Sequence, residues 1–553
     1  MGKARLLAAV AALASAGLTA EAAADSVRRT PKLVAGLSCA QPTEAAGEAA
    51  GRPVLIEGLG TAGIAPDTAS AEARAWFEQG VRLVWAFDEV EAIRAFREAQ
   101  RLDPACALCA WGEAWARGPT INLQPRTEEL PAARAAAERA VRLSRRLGER
   151  ERRLIRAMRA RTGEREFRNA RYARTMQRLA GLYPDDDALN VIAADALMVG
   201  GDSTAGAAAA AAPKALLERV LSRNPDHSGA IHMYIHLTDW IDAQRLAEPY
   251  AERLGRIAPA ASHLVHMPSH TFYGVGRYSD AAAVNVAAIA ADRAFAERAR
   301  PAASNYRTGL LGHNMHFAMN SALFRGDGAT ALSVARQFRE RFPALEGWRR
   351  LIGSSVWFSE GLHGDPEAVL ALPEPDKEDA FSAAMRHYAR GEALARRGDG
   401  ARVRAEAEAI RALREGPRAP QLGGEAGAVM AEIAQLVLEG RAAMLGGDHA
   451  AAATAYRSAM ERQVAAGFGS DPPLWWYPVR RSLAAAQLAS GDAAGARLQL
   501  LASLERWPND PLALAALARA EQALGNGAEA ERTLTRARAI WDGDPAEVPL
   551  ARI

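Results

Sequence analysis

Residues 73–104 read ARAWFEQGVRLVWAFDEVEAIRAFREAQRLDP. Small and large apolar residues recur in it at helical intervals, and the stretch predicts a pair of packed helices. Gly80 and Ala92 let the two helices approach, Phe96 fills the gap toward the next pair, and Pro104 ends the second helix. Trp76, Gly80, Ala92, Phe96, Ala99 and Pro104 fall at the spacing of a helix-turn-helix repeat of about 34 residues.

The same interval returns along the chain. Ala247 and Ala281 are 34 residues apart, as are Pro225 and Pro259, and Ala496 and Ala530. GDGATALSVARQFRERFP supplies Ala331 and Pro343, and GDHAAAATAYRSAM supplies Ala452 and Tyr456. Alanine is abundant, and it favours helices and close helix packing. The chain therefore reads as all-α, a tetratricopeptide-repeat α-solenoid, that is, a superhelix of helix hairpins. An extended N-terminal arm over 25–70 precedes repeats over 71–225, histidine-rich repeats over 226–345, irregular helical repeats over 346–440, and C-terminal repeats over 441–545.

Composition narrows the function. The 68 basic and 65 acidic residues nearly cancel, and arginine dominates the basic set, with lysine only at Lys3, Lys32, Lys214 and Lys377. Arginine and glutamate interleave along helix faces as solvated surface, and no basic stripe carries aromatics, so nucleic acid is not an expected partner. MGKAR followed by LLAAVAALASAGL and TAEAAADS has the order of a secretory leader, with cleavage expected near Ala24. No stretch is long and apolar enough to predict a membrane span. The expectation is an exported protein of a bacterial periplasm. In that oxidising setting Cys106 and Cys109 predict a structural disulfide, within the pair or with Cys39. A thiol–disulfide active site is the alternative, without the βαβ pattern that usually surrounds one.

Eight of the eleven histidines lie between positions 227 and 316. IHMYIHLTDW and ASHLVHMPSH each hold a His-x-x-x-His, and His232/His236 stand 34 residues before His266/His270. Aligned on Ala247, Ala281 and Ala331, three first helices carry Gly229/His232/His236, His263/His266/His270 and His313/His316/Asn320. Spacings of three and four put each set on one helical face. Imidazole is a common ligand for Zn, Cu, Fe and Ni, so His232, His236, His266, His270, His316, His313 and His263 are candidate metal ligands. Asp239 and His227 are candidates to support them from a second layer. The alternative is a polar network in which the rings bond one another, backbone or a peptide. Pro268 predicts either a helix start or a kink within HMPSH.

DHSGAIHMYIHLTD, IAPAASHLVHMPSHTFYGVGRY and GHNMHF, with 72–122 and DPPLWWYPVRRSLAAAQLASGD, resemble a group of exported bacterial tetratricopeptide-repeat proteins of unassigned activity. The resemblance runs from about 55 to 530. It implies that the histidine face lines a concave groove where a protein, peptide or small ligand binds. Many members are similar in being histidine-rich where this chain has GLGTAGIAP and AFDEVEA, which contain none.

The resulting expectation is a binding protein whose groove carries a histidine site for a transition metal. One alternative is a metal-dependent hydrolase that uses Asp239 as base. The other is a plain interaction scaffold. Trp475, Trp476, Tyr477 and Arg480 form a second candidate patch for an anionic or planar ligand, with packing between repeats as the alternative.

Overall fold

The computed structural model describes residues 52–122, 127–201, 207–301, 305–467 and 472–553. The leader, its cleavage near Ala24, and Cys39 lie outside the described residues. The fold is all-α. Among the described residues no strand forms, and one isolated bridge joins Thr162 to Phe167. No helix of the described residues is long and apolar enough to cross a membrane.

The chain divides into two compact units, one within Leu37–Ser321 and one including Ala322–Ile553. The border falls inside the 226–345 group that repeat spacing outlines. In the first unit, Ser70 Oγ accepts the Ala73 amide at 3.2 Å and caps α1, Ala71–Trp85. Asp88 caps α2, Glu89–Leu102, in the same way through the Glu91 amide. α3, Ala107–Ala116, packs next. The role assigned to Phe96 holds: its ring is fully buried, and a Cβ on Gly80 would come within 2.7 Å of it and one on Gly112 within 2.4 Å. Two glycines on different helices thus make one slot for one ring.

Hairpins continue through α4 (Leu130–Leu143), α5 (Glu149–Arg161), α6 (Asn169–Leu182), α7 (Asp187–Gly200) and α8 (Ala207–Arg223). Each packs mainly on its chain neighbours. α9 (Ser228–Trp240), α10 (Glu248–Ile257), α11 (Ser262–His266), α12 (Pro268–Gly274), α13 (Tyr278–Ala299) and α14 (Asn305–Arg325) follow. Of the two expectations for Pro268, the helix start is the one observed, although His263 and His266 lie on a short helix of their own, α11, and not on a turn. Met267 keeps helical dihedrals between α11 and α12, and Pro268 sits at the first position of α12.

Residues 52–70 of the arm are docked on this unit. The Ile56 amide donates to Gln79 Oε1 at 2.7 Å, the Ala260 amide donates to the Gly58 carbonyl at 2.9 Å, and the Thr61 amide donates to Ser228 Oγ at 3.1 Å. Ile56, Leu59, Ala62 and Ile64 of the arm are buried. Asp67 then accepts the Ala107 and Leu108 amides at the start of α3, where Cys106 and Cys109 are joined as a disulfide.

The second unit repeats the scheme with helices such as Gly328–Arg341, Gly400–Glu415, His449–Ala466 and Ala493–Arg506. Their starts share a device: Gly326 and Gly447 turn left-handed at φ 77° and 76°, and the next residue, Asp327 or Asp448, caps the following helix. The aromatic patch is part of this core. Trp475, Trp476 and Tyr477 are buried, and Trp475 packs on Phe358 and Tyr388 at 5.2 and 5.0 Å. Arg480 donates to Gln499 at 2.7 Å. Its neighbour Arg481 is the one that stacks on Tyr477 and Trp476, and it pairs with buried Asp510 at 3.0 Å. The patch is therefore packing between helices, not an exposed ligand platform.

Candidate metal centre

Helical spacing sets His232 and His236 on one face of α9, one turn apart. α11 brings His263 against them: His263 Nε2 lies 3.0 Å from His232 Nε2, and His236 Nε2 lies 3.1 Å from the same atom. The second group forms across the junction of α11 and α12. His266 on α11 and His270 on α12 approach Nε2 to Nε2 at 3.1 Å, and the His313 ring of α14 stands 4.9 Å from that of His266. Within each group of three, one nitrogen per ring lies within 4.8 Å of the others, so each group could hold a metal ion.

The protonation of the two central rings follows from their outer partners. His232 Nδ1 lies 2.6 Å from the Trp85 carbonyl, which can only accept, so Nδ1 carries the proton and Nε2 a lone pair. Asn285 Nδ2 donates to the Ala281 carbonyl at 2.7 Å, which turns Asn285 Oδ1 toward His266 Nδ1, also at 2.7 Å. His266 Nδ1 is thereby the donor, and Ser269 Oγ at 3.3 Å can accept from it as well. Its Nε2 lone pair faces the group. Fixing a ligand ring through its outer nitrogen is how metal-binding histidines are oriented.

Burial makes these rings hard to charge. The seven candidate ligands are between 0% and 6% exposed. Loss of solvent holds His232 down to about 3 and pushes His236, His263, His266 and His313 well below the ordinary histidine value. Their neighbouring histidines push in the same direction. Such rings are neutral at neutral pH and present lone pairs.

The residues fit an ion better than they fit one another. His232 Nε2 has one lone pair, and two other Nε2 atoms crowd it at 3.0 and 3.1 Å. One in-plane lone pair makes one good hydrogen bond, so the second contact is left poorly satisfied. Ligand nitrogens about 2.0–2.1 Å from a tetrahedral ion stand roughly 3.3 Å apart, within a few tenths of an ångström of these spacings. Neither ring nitrogen of His313 has a hydrogen-bond partner among the described residues.

Other expectations change. The rings are buried and do not line an open groove. The repeat alignment placed His263 with His266 and His270; its ring does stack on His266 at 5.7 Å, but its Nε2 turns to His232 Nε2 at 3.0 Å, so His263 joins the α9 pair. His316 joins neither group; its Nε2 accepts from Asn320 Nδ2 at 3.1 Å. His227 is a helix cap, with Nδ1 accepting the Ala230 amide at 3.2 Å. Asp239 accepts from Gln244 at 3.1 Å near the end of α9, not from an imidazole.

Sequence reasoning did not find Trp85, Phe87, Asn285 or Phe317. The Phe87 ring lies 4.4, 5.9 and 5.5 Å from those of His232, His236 and His263. The Phe317 ring lies 5.1, 4.9 and 5.1 Å from those of His266, His270 and His313. Each triad thus has one phenylalanine against all three of its rings. Phe317 stands beside His316 in GHNMHF, which was a usable signal; Phe87 and Asn285 come from other repeats and carried none.

No family model matches the chain, and no curated protein matches it. Among solved structures, a human IFIT1 dimer with m7Gppp-AAAA is similar at 13% identity and TM-score 0.30, over 86% of this chain and 91% of that one. The TPR domain of P58(IPK) is similar at 12% identity and TM-score 0.22, over 82% of this chain and 99% of that one. At these scores the likenesses carry no inference about function.

Proposed function

We propose that this chain is an exported helical-repeat protein that binds a transition metal in its buried histidine cluster. The carrying observation is His232 Nε2, a fixed lone pair faced by the Nε2 atoms of His236 and His263 at 3.1 and 3.0 Å. Three neutral imidazoles suit Zn, Cu, Fe or Ni. Binding is favoured over hydrolysis because no carboxylate joins either triad among the described residues, and the carboxylate of Asp239 is engaged by Gln244. The apolar leader and the Cys106–Cys109 disulfide support export. Capture of a protein or small ligand by the repeat surface is part of this reading, with the metal site inside the scaffold.

Metal analysis of the full chain, purified without chelators or a metal-affinity tag, tests it. Stoichiometric transition metal is expected, lost in a His232→Ala/His266→Ala double variant. A chain that carries no metal, and takes none up when metal salts are supplied, would leave only the scaffold.

A further inference from the structure

We infer that the cluster is a two-ion site, one ion per triad, and that it is built for monovalent copper, Cu(I). The inference rests on the metal-binding reading above and deepens it.

Two ions follow from two separately built centres. His232 is anchored by the Trp85 carbonyl at 2.6 Å and His266 by Asn285 at 2.7 Å, so two lone pairs are fixed independently. Each central ring is joined by the histidine one turn on and by a third ring from another helix. Each triad then has its own phenylalanine, Phe87 or Phe317, against its three rings. The 34-residue interval between the two His-x-x-x-His pairs supplies the reason. A repeat that makes half a site makes it twice.

Charge selects the ion. Among the described residues no carboxylate or thiolate joins either group, so six imidazoles, which bind metal without carrying negative charge, offer nothing to offset the charge of bound metal. The cost of desolvating an ion scales with the square of its charge, so a monovalent ion costs about a quarter of what a divalent one does. The triads are also adjacent. Rings of the two groups come within 5.7 Å (His263 and His266) and 5.9 Å (His236 and His270) between centroids. Repulsion between two neighbouring divalent ions is about four times that between two monovalent ones at the same separation. Phe87 and Phe317, 2% and 0% exposed, add apolar surface where an anionic co-ligand would otherwise help neutralise a divalent pair. Cu(I) is the monovalent first-row ion that imidazole binds well, and it accepts three ligands.

Anaerobic titration of the metal-stripped full chain tests this, with Cu(I) competed against a chromophoric Cu(I) chelator and Zn(II) titrated in parallel. The expected result is two Cu(I) per chain, with Zn(II) unable to displace them. His232→Ala and His266→Ala should each retain one Cu(I), and the double variant none. His316→Ala, a buried histidine outside both triads, should retain two and so controls for folding, with circular dichroism on every variant. X-ray absorption at the copper edge should show nitrogen-only, three-coordinate Cu(I). One ion per chain, or Zn(II) displacing Cu(I), would overturn the inference while leaving the metal-binding reading intact. No uptake of either metal would overturn both.

Discussion

Phe87 occupies a turn position that glycine fills elsewhere. Its φ is 55°, and Asp88 follows it as a helix cap, just as Asp327 follows Gly326 at φ 77°. A side chain there costs roughly 1–2 kcal/mol, and the ring so placed is the one that touches the whole first triad. Phe87→Gly should therefore be more stable than Phe87→Ala by about 1 kcal/mol in urea unfolding, the reverse of the usual order in a helix. Arg481 and Asp510 form the other residue-scale commitment. Both are buried, 3.0 Å apart, and Asp510 also caps Pro511–Ala523. Removing one partner leaves a buried charge, so Asp510→Ala should lower stability by roughly 3–5 kcal/mol. Equal stability of that variant would show the pair to be solvated.

Helix contacts are governed by where glycine is needed. Gly80 and Gly112 form the slot for Phe96, with added Cβ atoms at 2.7 and 2.4 Å from its ring. Overpacking of this kind costs about 1–3 kcal/mol, so Gly80→Ala and Gly112→Ala should both destabilise. Gly255 lies within α10 with nothing inside 4 Å of its added Cβ. There the same substitution should stabilise by roughly 0.5–1 kcal/mol through helix propensity. Denaturant midpoints of the three variants check both signs. The spacing in 73–104 already marked Gly80 and Phe96. Gly112 as the other wall of the slot was not marked, because it belongs to the next helix.

Across the whole molecule, buried neutral histidines tie stability to pH. His227, His232, His236, His263, His266, His313 and His316 all have lowered affinity for protons through burial, to about 3 for His232 and His316. Unfolded, each takes a proton near pH 6.5. Below that the unfolded chain binds more protons, so stability is complete above about 6.5 and falls toward about 3, at roughly 1 kcal/mol per pH unit for each ring. These rings lie in the unit within Leu37–Ser321, while the other unit has His363, lowered to about 4. Acid should unfold the first unit before the second in the metal-free chain, read by hydrogen exchange of each across pH 7 to 4. Loss of both units together, with no dependence between 6.5 and 5, would contradict buried neutral rings.

The order of residues alone settled the all-helical hairpins, the helix end at Pro104, and the concentration of histidine on recurring faces. These are local properties: a 34-residue period and three-and-four spacing describe which side of a helix a residue takes. Tertiary structure decided which rings meet, since His263 left its own repeat for α9 and His316 turned to Asn320. It also decided burial in place of an open groove, and the aromatic patch as core. Neighbours such as the Trp85 carbonyl and Asn285 lie 147 and 19 residues from the rings they fix. No short-range pattern carries such distances, because folding alone closes the chain between them.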